Sequence, residues 1–164
     1  LMWFTLFDII NTLSCKKIFL ARQVVDSFFK IPVPNNPISF DASKYDLTLK
    51  IEPFSSQYVN NEINPIIIRN RDEIFSKEEA CVKLNISSNK KYCLYAYNGH
   101  PGDFEKYKKQ YIESAKSDLT CIESTNYKNG FFPIVDYFNA FEFIICGASY
   151  NAFWEAKFFN KDFF

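Results

Sequence analysis

Apolar residues alternate with polar ones along several short stretches of the chain, which is the pattern of β-strands with one buried face. Every second residue is apolar in the stretch 45–51, and again in the stretch 82–86. The stretch 92–97 (YCLYAY) follows a polar turn, so the pattern predicts that 82–86 and 92–97 form a hairpin. The triplet 66–68 is continuously apolar, as expected of a strand that is covered on both faces.

The last part of the chain has the most pronounced strand pattern. The stretch 129–164 consists of two aromatic-rich runs that are split by Gly147-Ala148-Ser149. Such runs, bounded by Gly, Asn and Ser, are typical of a β-sandwich or barrel core. We therefore predict a mainly β fold, an antiparallel β-sandwich with one or two short helices, with an α+β fold as the alternative.

Two segments have helical spacing instead. The stretch 15–30 carries a mostly apolar stripe, which prolines in the stretch 31–37 end. In the stretch 104–116 apolar residues recur at helical spacing after Asp103, a residue that can cap a helix. The pair Asn98-Gly99 just before it predicts a tight turn with positive φ.

These boundaries divide the chain into two parts. Residues 1–30 are predicted to form an N-terminal apolar segment, either a leader or a helix, and residues 31–164 a single sandwich domain. Leu1–Ser14 is apolar and precedes two lysines, as in a secretory signal peptide, but Asp8 and Asn11 interrupt it, which favours an element packed in the core. The segment is too short to span a bilayer. The expected location is extracellular rather than cytoplasmic by a narrow margin.

The charge of the chain argues against a nucleic-acid partner. The sequence has 19 basic and 19 acidic residues, and its net charge is zero. Its densest basic run contains only Lys106, Lys108 and Lys109. Because electrostatic capture of nucleic acid needs a basic excess or a basic face, the expected partner is a glycan or a protein. The sequence does not define the oligomeric state.

The cysteines and glycines do not form a recognisable cofactor site. The five cysteines are widely spaced, whereas a zinc site needs clustered ligands, so no metal is predicted. They are either reduced thiols in a cytosolic protein or form up to two disulfides in a secreted one. The four glycines form no phosphate-binding motif, so no cofactor is predicted.

Catalysis would depend on a single histidine. His100 lies in a loop rich in Gly and Pro, where a solvated side chain is the usual outcome. We therefore predict no catalytic residue and no enzymatic activity. Trp154 is either a core residue or a platform for stacking a sugar ring, and the pattern leaves both alternatives open.

From Ile66 onwards the order of motifs resembles that of the galectins, a family of β-sandwich lectins. The stretch 82–86 (VKLNI) is similar to the family's F-x-I-N-L strand. The stretch 96–100 (AYNGH) then falls where the sugar-binding strand reads H-F-N-P-R. The stretch 121–123 falls at the family's W-G-x-E-x-R segment.

The resemblance continues towards the C-terminus. Phe132-Pro133, followed by the stretch 141–145, is similar to the family's P-F motif and its F-x-I-x-I strand. The next strand of the family falls at 153–160. The chain stops before the family's last strands, so either residues 38–51 close the sheet or the domain is incomplete at its C-terminus.

The resemblance implies a galectin-like jelly roll that binds β-galactosides. Ala96, His100 and Cys121 replace the family's sugar-binding His and Arg and its stacking Trp. We therefore expect a non-catalytic binding module whose galactoside binding is weakened or lost, or else a secreted structural or protein-interaction domain without sugar binding. The predicted ligand-binding residues are two polar readers, one acceptor and two candidate stacking rings: Asn98, His100, Glu123, Tyr97 and Tyr127.

Overall fold

The chain folds as two compact units, Leu1–Pro65 and Ile66–Phe164. The computed structural model describes residues 7–22, 26–31, 38–114, 119–128, 130–147 and 149–163. The prolines of the stretch 32–37 and the first six residues of the apolar N-terminal segment lie outside the described residues.

The N-terminal unit is built around a small parallel sheet. Its helix and strands are α1 (Phe7–Thr12), β1 (Ile18–Ala21), β2 (Lys30–Ile31), β3 (Ile38–Ser39), β4 (Leu47–Lys50) and β5 (Asn61–Glu62). Two 3-10 helices, Asp26–Phe29 and Ala42–Lys44, lie between them. The strand order of the parallel sheet is β1-β4-β5, and β2 pairs with β3 in a separate antiparallel ladder.

An aromatic cluster forms the core of this unit. Phe40 is buried and lies 4.3 Å from Phe19 and 5.2 Å from Tyr45, measured between ring centroids. The strand predicted over 45–51 is confirmed by β4, but the helix predicted over 15–30 is wrong. Residues 18–21 instead pair with β4, because a tertiary partner for the backbone outweighs a local helical spacing.

The C-terminal unit is an α/β fold with a four-stranded sheet. Its helices and strands are α2 (Lys77–Lys83), β6 (Tyr92–Tyr97), α3 (Pro101–Ser114), β7 (Thr120–Thr125), β8 (Phe143–Cys146), α4 (Tyr150–Phe158) and β9 (Asp162–Phe163). A 3-10 helix, Ile134–Ala140, precedes β8. The strand order is β7-β6-β8-β9, and every pair is parallel.

Strand β6 lies in the middle of this sheet and is covered on both faces. Leu94 belongs to a core cluster that includes Val135 of the 3-10 helix and Ala156 of α4. Tyr95, which points to the opposite face, packs with Phe104 of α3. A parallel sheet needs such cover, because its crossover connections place helices over its faces.

The predicted antiparallel β-sandwich is therefore wrong, as is the galectin-like jelly roll: within the described residues the two main sheets are parallel. The hairpin predicted from 82–86 is wrong for a local reason. Ser76 and Glu79 form a capping box that starts α2, and this helix contains Val82. An alternation over five residues does not separate a strand from a helix end.

The C-terminal predictions are confirmed in part. The strand predicted over 141–145 is present as β8, and the helix predicted over 104–116 is present as α3. The strand predicted over 153–160 is wrong, because Ser149 caps α4 there through a hydrogen bond from the Ala152 N–H. The apolar triplet 66–68 is described but is not a strand.

Two valines, one in the 3-10 helix and one in α2, test whether the core lies where the structure places it. Val135 is fully buried, whereas Val82 is 78% exposed. We expect Val135→Ala to lower the free energy of unfolding by about 2 kcal/mol, because two buried methyl groups are lost. Val82→Ala is the matched control, and its effect should stay within about 0.5 kcal/mol. Urea denaturation measures both values, and equal costs would contradict the fold described here.

Candidate functional site

The carboxyl ends of β6 and β8 lie side by side, and the chain leaves them in different directions. After β6 it enters α3, which packs on the face of Tyr95. After β8 it enters α4, which packs on the face of Leu94. Connections that part to opposite faces leave a crevice outside the strand ends, and ligands bind in such crevices in open parallel sheets. We call this region the β6/β8 crevice and define it by Tyr97, residues 98–100, Gly147 and Ser149.

Tyr97 stands in this crevice between two glycines. A Cβ atom on Gly147 would lie 3.7 Å from Cδ2 of the Tyr97 ring, at ordinary contact distance. A Cβ atom on Gly99 would overlap the hydroxyl and Cζ of the same ring. A side chain at position 99 would therefore force the Tyr97 ring to move. The positive φ expected of Asn98-Gly99 is wrong, since neither residue has one.

An aromatic cluster connects Tyr97 to the neighbouring strand end. The Phe104 ring of α3 lies 6.1 Å from Tyr97 and 6.1 Å from Tyr127, centroid to centroid. Burial raises the pKa of Tyr97, and the charge of Asp103 raises it further. The pKa of Tyr127 is also raised by its surroundings, first by desolvation, although 41% of this residue stays exposed. The Tyr127 ring therefore offers an accessible surface beside the crevice.

Glu123 lies on β7 and pairs with Lys108 of α3. The hydrogen bond from Lys108 to Glu123 raises the pKa of the lysine, and the Lys108 ammonium also lies 5.7 Å from the centroid of the Phe104 ring. The Lys108 ammonium and the Glu123 carboxylate therefore compensate one another's charge. The predicted acceptor Glu123 is therefore engaged by a lysine of α3.

Asn98 and His100 are exposed in the loop between β6 and α3. The backbone N–H of Gly102 donates to Nδ1 of His100 at 3.1 Å. The His100 carbonyl accepts the N–H groups of Asp103 and Phe104 at 3.0 and 3.3 Å. An accepting Nδ1 leaves Nε2 as the donor of the ring, so the loop that carries Asn98 also holds one histidine donor.

The structure therefore gathers the five predicted residues in two groups. Tyr97 and Tyr127 contact the Phe104 ring, and Glu123 pairs with Lys108, whose ammonium lies near the same ring. Asn98 and His100 follow Tyr97 directly in the loop. Their assignment as ligand-binding residues stays a prediction, now placed on a parallel sheet rather than on a sandwich.

Sequence reasoning missed a charged cluster on the other face of the sheet. The Arg69 guanidinium donates to both carboxylate oxygens of Asp136, through Nε at 2.8 Å and Nη2 at 3.4 Å. Glu155 of α4 is 6% exposed beside this pair. Burial raises the pKa of Glu155, the Asp136 charge adds to the rise, and Arg69 opposes it. These residues lie far apart in the sequence and share no motif, so no sequence signal points to them.

Two carboxyl groups in unlike environments are a pattern known from acid–base sites. Here, however, the cluster supports the fold. The Asp136 carbonyl accepts the Phe75 N–H at 3.0 Å, and Asn139 of the same 3-10 helix donates to the Phe75 carbonyl at 2.8 Å. Arg69 and Asp136 thus help to hold the segment before α2 against the 3-10 helix. We assign the cluster to structure rather than to catalysis.

The described residues contain no group of three or more His, Cys, Asp or Glu side chains that could hold a metal ion. None of their helices has the length and hydropathy needed to span a bilayer.

Compared with known proteins, the chain matches no family model, no curated protein and no solved structure.

The close approach of Gly99 and Tyr97 is testable by substitution. We expect Gly99→Ala to lower the free energy of unfolding by about 1–3 kcal/mol, because the new methyl group overlaps the Tyr97 ring. Gly102→Ala in the first turn of α3 is the control, where the nearest atom to the new Cβ is His100 Nδ1 at 3.3 Å. In a Tyr97→Ala background the cost of Gly99→Ala should largely disappear in urea denaturation. An undiminished cost there would show that the ring is not the cause.

The buried carboxyl of Glu155 predicts a pH dependence of stability. Its pKa is higher in the folded protein than in the unfolded chain, so the folded state binds the proton more tightly. Stability then falls as the pH rises from the ordinary glutamate pKa towards the raised one. We expect Glu155→Gln to increase the urea midpoint near pH ~7 but not near pH ~4. The exposed Glu78 serves as control, and Glu78→Gln should change the free energy of unfolding by less than about 0.5 kcal/mol at either pH.

Proposed function

We propose that the C-terminal unit is a non-catalytic binding module that holds a neutral, hydroxyl-bearing small molecule, such as a saccharide, in the β6/β8 crevice. The observation that carries the proposal is the placement of Tyr97, Asn98 and His100 where the connections of two adjacent parallel strands part. Crevices of this kind are the usual ligand sites of open α/β sheets.

The polar groups of the crevice favour a neutral ligand. Asn98 supplies an amide, His100 a ring donor and Tyr97 a hydroxyl, all of which suit alcohol groups. Two charges beside the aromatic cluster compensate one another, since Lys108 pairs with Glu123. Asp103 lies in the first turn of α3 and offsets the partial positive charge of that helix end.

The aromatic rings favour a ligand that has an apolar face as well as hydroxyl groups. Tyr127 is partly exposed, and its ring is held by an edge contact with Phe104, at an interplanar angle of 86°. A ring that is fixed on one side and open on the other can stack on the carbon face of a sugar at little cost in side-chain entropy.

The proposal does not use the galectin mechanism. The sandwich strands that would carry the family's site are not present among the described residues, and Glu123 is engaged by Lys108. The module is accordingly not proposed to be specific for β-galactosides. Its ligand is defined by the side chains of the α/β crevice.

A protein partner is the second candidate, and one exposed ring favours it. Phe132 is 90% exposed in the connection between β7 and the 3-10 helix. A phenylalanine with so little contact to its own chain is available to insert into a pocket of another protein.

Binding to a broad glycan array, followed by calorimetry on the best-bound saccharide, tests the leading candidate. We expect Asn98→Ala to weaken binding roughly tenfold, because a hydrogen bond to a ligand hydroxyl is lost. Asn89→Ala is the matched control, since Asn89 is also exposed but precedes β6 at the amino end of the sheet.

Two outcomes would contradict the leading candidate. One is a blank array from a protein whose circular dichroism shows it to be folded, and this result would favour the protein partner. The other is saccharide binding that Asn98→Ala and Asn89→Ala leave equally intact, which would place the ligand elsewhere.

A further inference from the structure

Two of the five cysteines face one another across neighbouring strands. Cys93 of β6 and Cys121 of β7 are partners in the parallel register. Cys121 packs against the cluster of Tyr95, Phe104 and Ile145 beneath α3. Cys93 lies two residues before Tyr95 on the same strand and therefore shares that face.

The two thiols are close enough to interact directly. A hydrogen bond between them lowers the pKa of Cys93 and raises the pKa of Cys121, so that the pair gives up one proton more readily than two. Residues in register on neighbouring strands have Cα atoms about 4.8 Å apart, within the range of about 4.4–6.8 Å that a disulfide spans. Both thiols are free in this structure.

The pair has one buried and one accessible member. Cys93 is 4% exposed, whereas Cys121 is half-buried. Strand β7 lies at the edge of its sheet as the structure describes it, with β6 on one side only. A small reagent can therefore approach Cys121 from this edge. Cys93 lies on the inner neighbouring strand, where it can act as the resolving thiol.

We propose that Cys93 and Cys121 form an oxidisable dithiol site that reacts with low-molecular-weight disulfides, such as oxidised glutathione, and closes an intramolecular disulfide between β6 and β7. The thiolate of Cys121 attacks one sulfur of the small disulfide, which breaks the S–S bond, forms a mixed disulfide and releases one small thiolate. Cys93 then loses its proton to solvent and attacks the Cys121 sulfur, which releases the second small thiolate. The two cysteines lose two electrons and two protons, and the small disulfide gains both.

Cys93, the thiol with the lowered pKa, gives the first proton of the pair to solvent, and its thiolate then accepts the proton that Cys121 must lose. A shift along the hydrogen bond between the thiols moves the negative charge from the buried sulfur to the accessible one. Lys108 favours a negative charge at Cys121 and Glu123 opposes it. Because these two side chains pair with one another, the second thiol is the main influence on the first.

The disulfide would tie together the two strands that α3 connects. The closed loop contains the whole of α3, so the bond restricts the unfolded chain more than the folded one. The site lies on β6 and β7 near their amino ends, and it does not depend on the ligand proposed for the crevice.

The experiment incubates the folded protein with mixtures of reduced and oxidised glutathione, blocks the remaining thiols, and digests with trypsin under non-reducing conditions. We expect mass spectrometry to detect the peptide of residues 92–106 linked to that of residues 117–128, at a level about tenfold above any other cysteine pair. The oxidised protein should also show a higher urea midpoint than the reduced one.

Variants and a matched control complete the test. Cys146 is half-buried on β8, but its register partner on β6 is Ala96, so Cys146→Ser should leave the linked peptide unchanged. Cys93→Ala should leave Cys121 as a mixed disulfide with glutathione, which identifies Cys121 as the entry point. Absence of the linked peptide from the folded wild-type protein, or equal linkage among all five cysteines, would overturn the proposal, and neither result depends on whether a variant folds.

Discussion

The double burial of β6 is the constraint on which the rest of the C-terminal unit depends. This strand is hydrogen-bonded to β7 on one side and to β8 on the other. Its side chains from Tyr92 to Ala96 are all buried, so both faces of the sheet have to be covered. Helix α3 covers one face, and α2, α4 and the 3-10 helix cover the other. Because the strands are parallel, three of these covering elements, α3, the 3-10 helix and α4, are also the connections that return the chain to the amino end of the sheet, whereas α2 precedes β6.

The sequence identified this strand but not which strands pair with it. The run YCLYAY has the composition of a buried strand, and α3 follows from helical spacing, although the helix starts at Pro101, so Asp103 lies in its first turn rather than at its cap. A strand that is buried on both faces has no alternation that would reveal its partners. The nearest strand-like run, 82–86, is therefore the predicted partner, although Ser76 and Glu79 form the capping-box pattern S-x-x-E, which marks the start of a helix.

The candidate site was predictable to the extent that it is local. Tyr97, Asn98 and His100 are nearly consecutive, so they stay together in any fold. Tyr127 and Glu123 reach the same region only because β7 pairs with β6 in parallel, which no local pattern indicated. Arg69, Asp136 and Glu155 come together from three separate segments by packing. Single-sequence reasoning cannot find such a cluster, because its members share neither a period nor a turn.

The dithiol at the amino end of β6 and the crevice at its carboxyl end can act independently, because Tyr95 separates them. Cys93, Tyr95 and Tyr97 point to the same face, and a rise of about 3.3 Å per residue separates Cys93 from Tyr97 by about 13 Å. Tyr95 fills this interval, packed edge-on against Phe104 at 5.0 Å, with its hydroxyl donating to the Phe104 carbonyl. Closing a disulfide at the amino end would leave this aromatic pair in place, since the strands are already in register there. The crevice at the carboxyl end would therefore keep its geometry in both redox states.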